Sequence, residues 1–332
     1  MRIAIGFNTD LPVYEITKYA AVAEEKGLDS FWVHEHSFGR DAISYLSVAA
    51  HTTKRIKLGV ACLSPYVRHP VVLAMTAATL QESSHGREIL GLGTAFPMRL
   101  DLLGIDHKEP IVALKETIEI CRGVWSGNNL DYAGKVFSVK NVKSLIGKCA
   151  ETIPIYVAGW KKYMLMLTGK YAEGYVAKGG ESVQSIRNIV ETIGMYAQKH
   201  SRSISQIDMA AYLLTLVDKS KEMALEKARK NPFVVYMLSV QDDYLYEGTG
   251  IDPNLKKPIA QNYFKGKFEE ACANVKDEMI EAFTLVGTDE QVANRVSEFQ
   301  KAGLNLPILQ PINMKSEDVK KVLDAVSNII LD

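Results

Sequence analysis

Short apolar runs alternate with amphipathic stretches along almost the whole chain of 332 residues. The apolar runs are rich in β-branched and aromatic residues, which is typical of strands that are buried on both faces. Turn-forming residues separate each run from the stretch that follows it. The pattern predicts eight strands, at 2–7, 29–34, 56–61, 88–92, 153–157, 174–177, 207–217 and 305–310.

The stretches between these strands carry apolar residues at helical spacing. In the first of them Ile16, Tyr19, Ala20 and Ala23 share one face, and Gly27 ends the helix. A strand, a helix and a further strand in succession require parallel pairing. The predicted helices are 13–26, 41–53, 70–84, 110–126, 160–172, 182–199, 288–302 and 316–330.

Two segments interrupt the alternation. Residues 127–150 contain turn signals around Gly127 and Gly134 and are predicted to form an inserted hairpin. Residues 219–282 are predicted to be a mainly helical insertion, broken at Pro232. Because no Pro/Gly/Ser-rich linker marks a boundary, we expect residues 1–332 to form one (β/α)8 TIM-barrel domain with insertions.

Composition limits the classes of function. The formal net charge is +0, which argues against a nucleic-acid partner because phosphate neutralisation needs a basic surplus. No apolar run has the length of a membrane span. The widely spaced cysteines predict neither a zinc cage nor a disulfide framework, and we expect no metal site and a cytoplasmic location. The four cysteines are Cys62, Cys121, Cys149 and Cys272.

Candidate chemistry lies at the carboxyl ends of the predicted strands, where barrel enzymes place their active sites. His34-Glu35-His36 ends the second strand and offers imidazole and carboxylate groups for proton transfer or hydrogen bonding. A solvated polar loop is the alternative. The stretch Leu58–Pro70 reads as a buried strand that runs into a loop, and its small residues would let a flat ring approach the backbone. His69 is a further candidate contact.

Two later strand ends add to this picture. Gly91-Leu92-Gly93-Thr94 lacks the third glycine of a dinucleotide fingerprint, and Phe96-Pro97 follows before any helix, so we reject a Rossmann site. Val157–Lys162 joins a strand to a helix and carries two lysines. Backbone N–H groups at such a helix start favour an anion, although an ordinary helix start with surface lysines is equally compatible with the sequence.

At these places the chain resembles the bacterial luciferase-like superfamily, which uses flavins and deazaflavins. The resemblance covers nearly the whole chain and is carried by Leu58–Pro70, Gly86–Gly93 and Gly303. The segments 101–105, 153–157 and 281–288 resemble the coenzyme F-420-dependent methylenetetrahydromethanopterin reductases within that superfamily.

The resemblance implies a (β/α)8 barrel with a deazaflavin at its mouth and a non-prolyl cis peptide at Ala61-Cys62. It implies that Glu35 and His36 are catalytic and that His36 lies beside the ring. Departures from the family pattern are Gly6 and Phe96, which stand where relatives carry acids. The cofactor-binding residues that it implies are Ala61, Cys62, Thr94, Ala158, Gly159 and Trp160.

The expected function is therefore hydride transfer from reduced coenzyme F-420 to a small molecule, with a tetrahydropterin as the substrate that the resemblance favours. Two alternatives stay open. An FMN-dependent monooxygenase would keep the fold and change the cofactor, and a flavin-binding protein without turnover would fit the missing acids. The superfamily resemblance also implies a homodimer or higher homo-oligomer, for which 48–50 and 74–78 are candidate contact segments that could equally pack on the barrel.

Overall fold

The structure is a computed structural model that describes residues 2–36, 38–149 and 151–331. Every predicted strand and helix is present, with ends that differ by a few residues. The strands are β1 Ala4–Asn8, β2 Ser30–His34, β3 Lys57–Leu63, β4 Glu88–Leu92, β5 Leu130–Ala133, β6 Ser138–Val142, β7 Ile155–Ala158, β8 Gly174–Ala177, β9 Asp208–Val217, β10 Leu285–Gly287 and β11 Leu306–Pro311.

Helices follow the strands as the apolar spacing predicts. They are α1 Val13–Glu25, α2 Ala42–Thr52, α3 Pro70–Ser83, α4 Pro97–Leu102, α5 Pro110–Trp125, α6 Lys162–Tyr171, α7 Val183–Lys199, α8 Lys221–Arg229, α9 Pro232–Val240, α10 Lys256–Phe264, α11 Phe268–Ala273, α12 Asp277–Phe283, α13 Asp289–Lys301 and α14 Ser316–Leu331. None of these helices is long and apolar enough to cross a membrane.

The sheet is parallel and runs in the order β10, β9, β11, β1, β2, β3, β4, β7, β8, with a further pairing between β9 and β8. Apart from β10, these are the eight predicted strands in the order of a (β/α)8 barrel. β5 and β6 form a separate antiparallel pair within 127–150. Contacts group the chain into two compact units, which we describe separately.

The first unit holds the chain up to Gly6, Ala177–Glu191 and the chain from Met209 onwards. Ala4 pairs with Ile308, and Ile308 pairs with Tyr212, so a continuous row of buried residues crosses β1, β11 and β9. The helices α8 to α12 occupy the segment 219–282 and enclose their own apolar cluster. Its members include Val234, Leu238, Ile259, Met279 and Phe283.

The second unit holds Phe7–Val176 and Thr192–Asp208. Its strands are buried on both faces. On one face the ring of Trp32 lies 5.5 Å from that of Tyr156 and covers Gly59, where an added Cβ would lie 2.4 Å from Trp32. On the other face Phe7 stacks on Tyr19 of α1 at 5.5 Å. Alternation along each strand therefore fills both layers, as a barrel with outer helices requires.

Glu88 is a buried exception at the start of β4. It is 1% exposed, and neither of its carboxylate oxygens has a hydrogen-bond partner. Its backbone N–H donates to Gln81 Oε1 at 3.0 Å. Burial raises the pKa of the Glu88 carboxyl well above its ordinary value of 4.5, because the charged form cannot be solvated there.

We expect Glu88→Met to stabilise the protein at neutral pH. Above about pH 4.5 the unfolded chain loses this proton while the folded chain retains it, so the native residue lowers stability progressively as pH rises. Removing the group should raise the free energy of unfolding by about 1–3 kcal/mol. Urea unfolding at several pH values measures the effect, and Glu88→Gln should remove the pH slope alone. The exposed Glu82→Gln is the control, and an equal gain there would contradict the assignment.

Candidate functional site

The eight predicted site residues all lie in the second unit, at the carboxyl ends of neighbouring parallel strands. The register aligns His34 with Ala61, Leu63 with Leu92, and Leu92 with Val157. The residues that follow these rows therefore emerge at the same edge of the sheet. The structure places Glu35 and His36 after β2, Ala61 and Cys62 in β3, Thr94 after β4, Ala158 at the end of β7, and Gly159 and Trp160 directly after it.

The peptide bond between Ala61 and Cys62 is cis, as the family resemblance implies. Ala61 is buried and Cys62 is half-buried. The pairing of β3 with β4 shifts register between Val60 and Leu63. The Ala61 carbonyl accepts a hydrogen bond from the Glu35 N–H at 3.1 Å, which connects this part of β3 to the end of β2.

Gly91 and Gly93 allow β4 to approach this irregular part of β3. A Cβ added at Gly91 would lie 2.1 Å from the Val60 carbonyl oxygen, and one added at Gly93 would lie 2.4 Å from Cys62 Sγ. No side chain fits at either position. Strand packing therefore explains the Gly-x-Gly pattern without a dinucleotide, although a short helix, α4, does begin at Pro97.

The Glu35 carboxylate is held by two hydrogen-bond donors, one on each oxygen. Arg68 donates from Nη1 to Glu35 Oε1 at 2.6 Å, and the Ala42 N–H donates to Glu35 Oε2 at 2.9 Å. Arg68 also donates from Nη2 to Asp41 Oδ1 at 2.5 Å. Asp41 in turn caps α2 by accepting from the Ser44 N–H. With both oxygens engaged, the Glu35 carboxylate braces the loop that carries His36.

His36 has a charged neighbour that the sequence did not suggest. Arg99, in α4, places its Nη2 atom 3.2 Å from His36 Nε2. The guanidinium carbon of Arg99 lies 5.5 Å from the centre of the Phe96 ring. Phe96 stands where the resemblance implies an acid, and its ring makes a cation–π contact with Arg99 instead.

The loops after β4 and β7 supply the other predicted contacts. Thr94 is half-buried and is followed by Ala95 at a positive φ of 60°, which turns the chain toward α4. Gly159 has φ 135°, a conformation that side chains other than glycine rarely adopt. Lys161 precedes α6 and makes no side-chain cap, and backbone N–H groups at a helix start favour an anion.

A groove of about 600 Å³ in the second unit is lined by residues that include Tyr66, His69 and Lys108 and by none of the eight. His69 contributes to its wall and accepts a hydrogen bond from the Val71 N–H at its own Nδ1, at 3.3 Å. Tyr66 donates to the Lys108 carbonyl at 2.7 Å. Burial raises the pKa of Tyr66 to about 12, so its phenol stays protonated. The described residues contain no group of three or more His, Cys, Asp and Glu side chains that could hold a metal.

In the first unit, Gly179 and Gly180 follow β8 with positive φ angles of 106° and 81°. Glu181 comes next and is buried, and it accepts hydrogen bonds from Ser185 Oγ at 2.8 Å and Tyr244 OH at 3.3 Å. Burial raises the pKa of Glu181 to about 7. This carboxyl therefore joins the end of β8 to the helical insertion.

Gly6, the other departure from the family pattern, also lies in the first unit. A Cβ added there would lie 2.4 Å from Tyr212 Cε1 and 2.7 Å from Ile308 Cγ2. The side-chain space beside Gly6 is therefore filled by the Tyr212 ring. No acidic side chain could enter without displacing it.

Comparisons with known proteins show which family the chain resembles in sequence and in fold. The sequence model of a family described as luciferase-like monooxygenase matches residues 4–306. A 5,10-methylenetetrahydromethanopterin reductase from Methanolobus tindarius is 30% identical over 325 residues, covering 97% of this chain and 98% of that protein. A reductase of the same name from Archaeoglobus fulgidus is 28% identical and covers 100% and 99% of the two chains.

A solved structure extends the comparison to three dimensions. The coenzyme F-420-dependent tetrahydromethanopterin reductase from Methanopyrus kandleri matches with a TM-score of 0.90 and 27% identity. The match covers 100% of this chain and 99% of that chain. The predicted luciferase-like (β/α)8 fold is thereby confirmed.

We expect Arg68→Met to loosen the loop that carries His36. The substitution leaves the Glu35 and Asp41 carboxylates without their shared cation, which should cost about 1 kcal/mol because the pair is partly screened by solvent. Hydrogen exchange should become faster in residues 38–44. The exposed ion pair of Lys18 with Glu15 provides the control, and Lys18→Met should change stability by less than about 0.5 kcal/mol. Unchanged exchange in Arg68→Met would show that the loop is held by other contacts.

Proposed function

The chain belongs to the luciferase-like monooxygenase family, and from this premise we propose that it reduces a methylene-tetrahydropterin with coenzyme F-420. It is an enzyme of the oxidoreductase class, as its relatives are. The observation that carries the proposal is similarity along the full length to reductases of this kind, including a solved structure with a TM-score of 0.90. The substrate that we propose is 5,10-methylenetetrahydromethanopterin or a close relative.

The residues at the strand ends fit a flat cofactor with a phosphate. Ala61, Cys62 and Thr94 would contact the ring, since small side chains here leave the backbone accessible. Ala158, Gly159 and Trp160 would hold the phosphate at the open start of α6. The conformation of Gly159 supports this assignment, because φ 135° turns the chain between β7 and the helix without a side chain in the way.

The deazaflavin, when bound, would supply the hydride. The protein contributes position and polarity. Residues 61–62 would set the depth of the ring, and His36 would hydrogen-bond the ring or the substrate. Glu35 would act on the reaction through the loop that it braces, since both of its oxygens are already engaged.

The alternatives keep this geometry and differ in cofactor or turnover. FMN also offers a ring and a phosphate, and the family description as luciferase-like monooxygenase favours testing it. Gly6 and Phe96 motivate a flavin-binding protein without turnover, because both positions lack the acids that the resemblance implies. A spectrum and a turnover assay separate the three functions.

We expect the purified protein to change the absorbance spectrum of coenzyme F-420 on titration, with half-saturation between about 1 µM and 1 mM, the usual range of KM values. It should oxidise the reduced cofactor when methylene-tetrahydromethanopterin is added. Gly159→Ala should weaken binding about tenfold, because its Cβ would lie 3.1 Å from Met164 at a positive φ.

Gly194→Ala is the matched control for this substitution. Gly194 lies in α7, and an added Cβ would meet Ile204 at an ordinary 3.7 Å. Its binding should equal that of the native protein. Tight FMN binding with oxygen uptake would favour the monooxygenase, and binding of coenzyme F-420 without turnover would favour the binding protein.

We also propose that the chain forms a homodimer through α2 and α3. The alanines of 48–50 and 74–78 pack within the chain, whereas Val48 and Met75 are exposed. Val72 adds to the exposed apolar surface on α3. We also propose a cytoplasmic location. The four free cysteines are compatible with a reducing compartment.

Met75→Glu should shift the protein from dimer to monomer in size-exclusion chromatography with light scattering. A carboxylate buried at an apolar contact would cost several kcal/mol without a partner. Leu145→Glu is the control, since Leu145 is fully exposed in a different segment. A native protein that elutes as a monomer would overturn the dimer proposal.

A further inference from the structure

Arg99 is a half-buried residue whose guanidinium faces a predicted catalytic side chain. Its Nη2 atom lies 3.2 Å from His36 Nε2, although the two residues are 63 positions apart. The ring of Phe96 supports the guanidinium at 5.5 Å. The Arg99 N–H donates to the Phe96 carbonyl at 2.9 Å and fixes the first turn of α4. The arginine is therefore held in place beside the imidazole.

The chemistry of guanidinium and imidazole determines which of the two groups donates the hydrogen bond. A guanidinium has five N–H donors and no acceptor, and it stays protonated in proteins. A hydrogen bond to it requires a lone pair on His36 Nε2, so this nitrogen carries no proton. We infer that Arg99 is a positioning residue that holds the His36 imidazole neutral, with its single ring proton on Nδ1.

This tautomer restricts what His36 can do, and here the inference rests on the proposed function. An imidazole beside the cofactor could orient a ligand or protonate it. With Nε2 engaged by Arg99, any proton that His36 shares with a ligand comes from Nδ1. A ligand atom that bonds to Nδ1 would therefore be a hydrogen-bond acceptor, such as a carbonyl oxygen of the cofactor ring or the substrate.

Phe96 belongs to the same arrangement. A carboxylate at position 96 would compete with His36 for the guanidinium, because a charged acceptor binds arginine more strongly than a neutral imidazole does. An aromatic ring supports the guanidinium through its face and leaves the N–H groups directed elsewhere. Phe96 therefore supports Arg99 without competing with His36 for its N–H groups.

Nitrogen NMR of histidine-labelled protein tests the inference without any cofactor. The chain has seven histidines, and comparison with His36→Gln identifies the signals of His36. In the native protein near neutral pH, the nitrogen chemical shift of His36 Nδ1 should be that of a protonated ring nitrogen. The shift of Nε2 should be that of an unprotonated nitrogen that accepts a hydrogen bond. In Arg99→Met the proton should redistribute toward Nε2, whereas Arg99→Lys, which keeps a charged donor, should retain the native pattern in part.

The signals of the other histidines report whether each variant keeps its fold. A native His36 protonated on Nε2 or on both nitrogens would overturn the inference, and so would an Arg99→Met spectrum identical to the native one. Turnover gives a second readout. Arg99→Met should lower kcat/KM about tenfold with a changed pH profile, since loss of a group that orients a metal-bound histidine costs about 10- to 100-fold. Failure to bind coenzyme F-420 would overturn the proposed function and leave the NMR result intact.

Discussion

β3 packs so closely against β4 that neither Gly91 nor Gly93 has room for a side chain. The carbonyl of Val60 and the sulfur of Cys62 occupy the positions that a Cβ would need at Gly91 and Gly93. The Gly93 N–H still reaches the Leu63 carbonyl at 3.0 Å, and the Glu35 N–H reaches Ala61. β3 is thus irregular and yet hydrogen-bonded on both sides. The edge where the candidate site residues emerge depends on this contact.

Two arginines bind residues at that edge of the sheet. Arg68, after β3, joins Glu35 to Asp41, and Arg99, after β4, reaches His36. Both side chains can only donate hydrogen bonds, so each requires an acceptor from the loop after β2. Acceptors in that loop are therefore bound by side chains that lie 27 to 63 positions further along the chain. This explains how a short polar loop at a barrel mouth can present one imidazole in a defined orientation.

Periodicity was sufficient for the regular elements, because buried strands and amphipathic helices repeat at fixed spacing. It missed β10, which has three residues, and α4, which has six. The cis bond at Ala61 followed from family resemblance, since no local pattern marks such a bond. The contact of Arg99 with His36 was not predictable, because the reach of a long side chain from one segment to another leaves no period in the sequence. The same holds for the Tyr212 ring beside Gly6, which is a tertiary contact.

The bridge from Arg68 to both Glu35 and Asp41 has a consequence for protein engineering. The loops after β2 and β3 and the start of α2 share one cation, so they form a single unit of exchange. A chimera that imports only one of these loops from a relative would separate acids from their arginine. Any exchange of these loops with those of a relative should therefore transfer the three segments as a set.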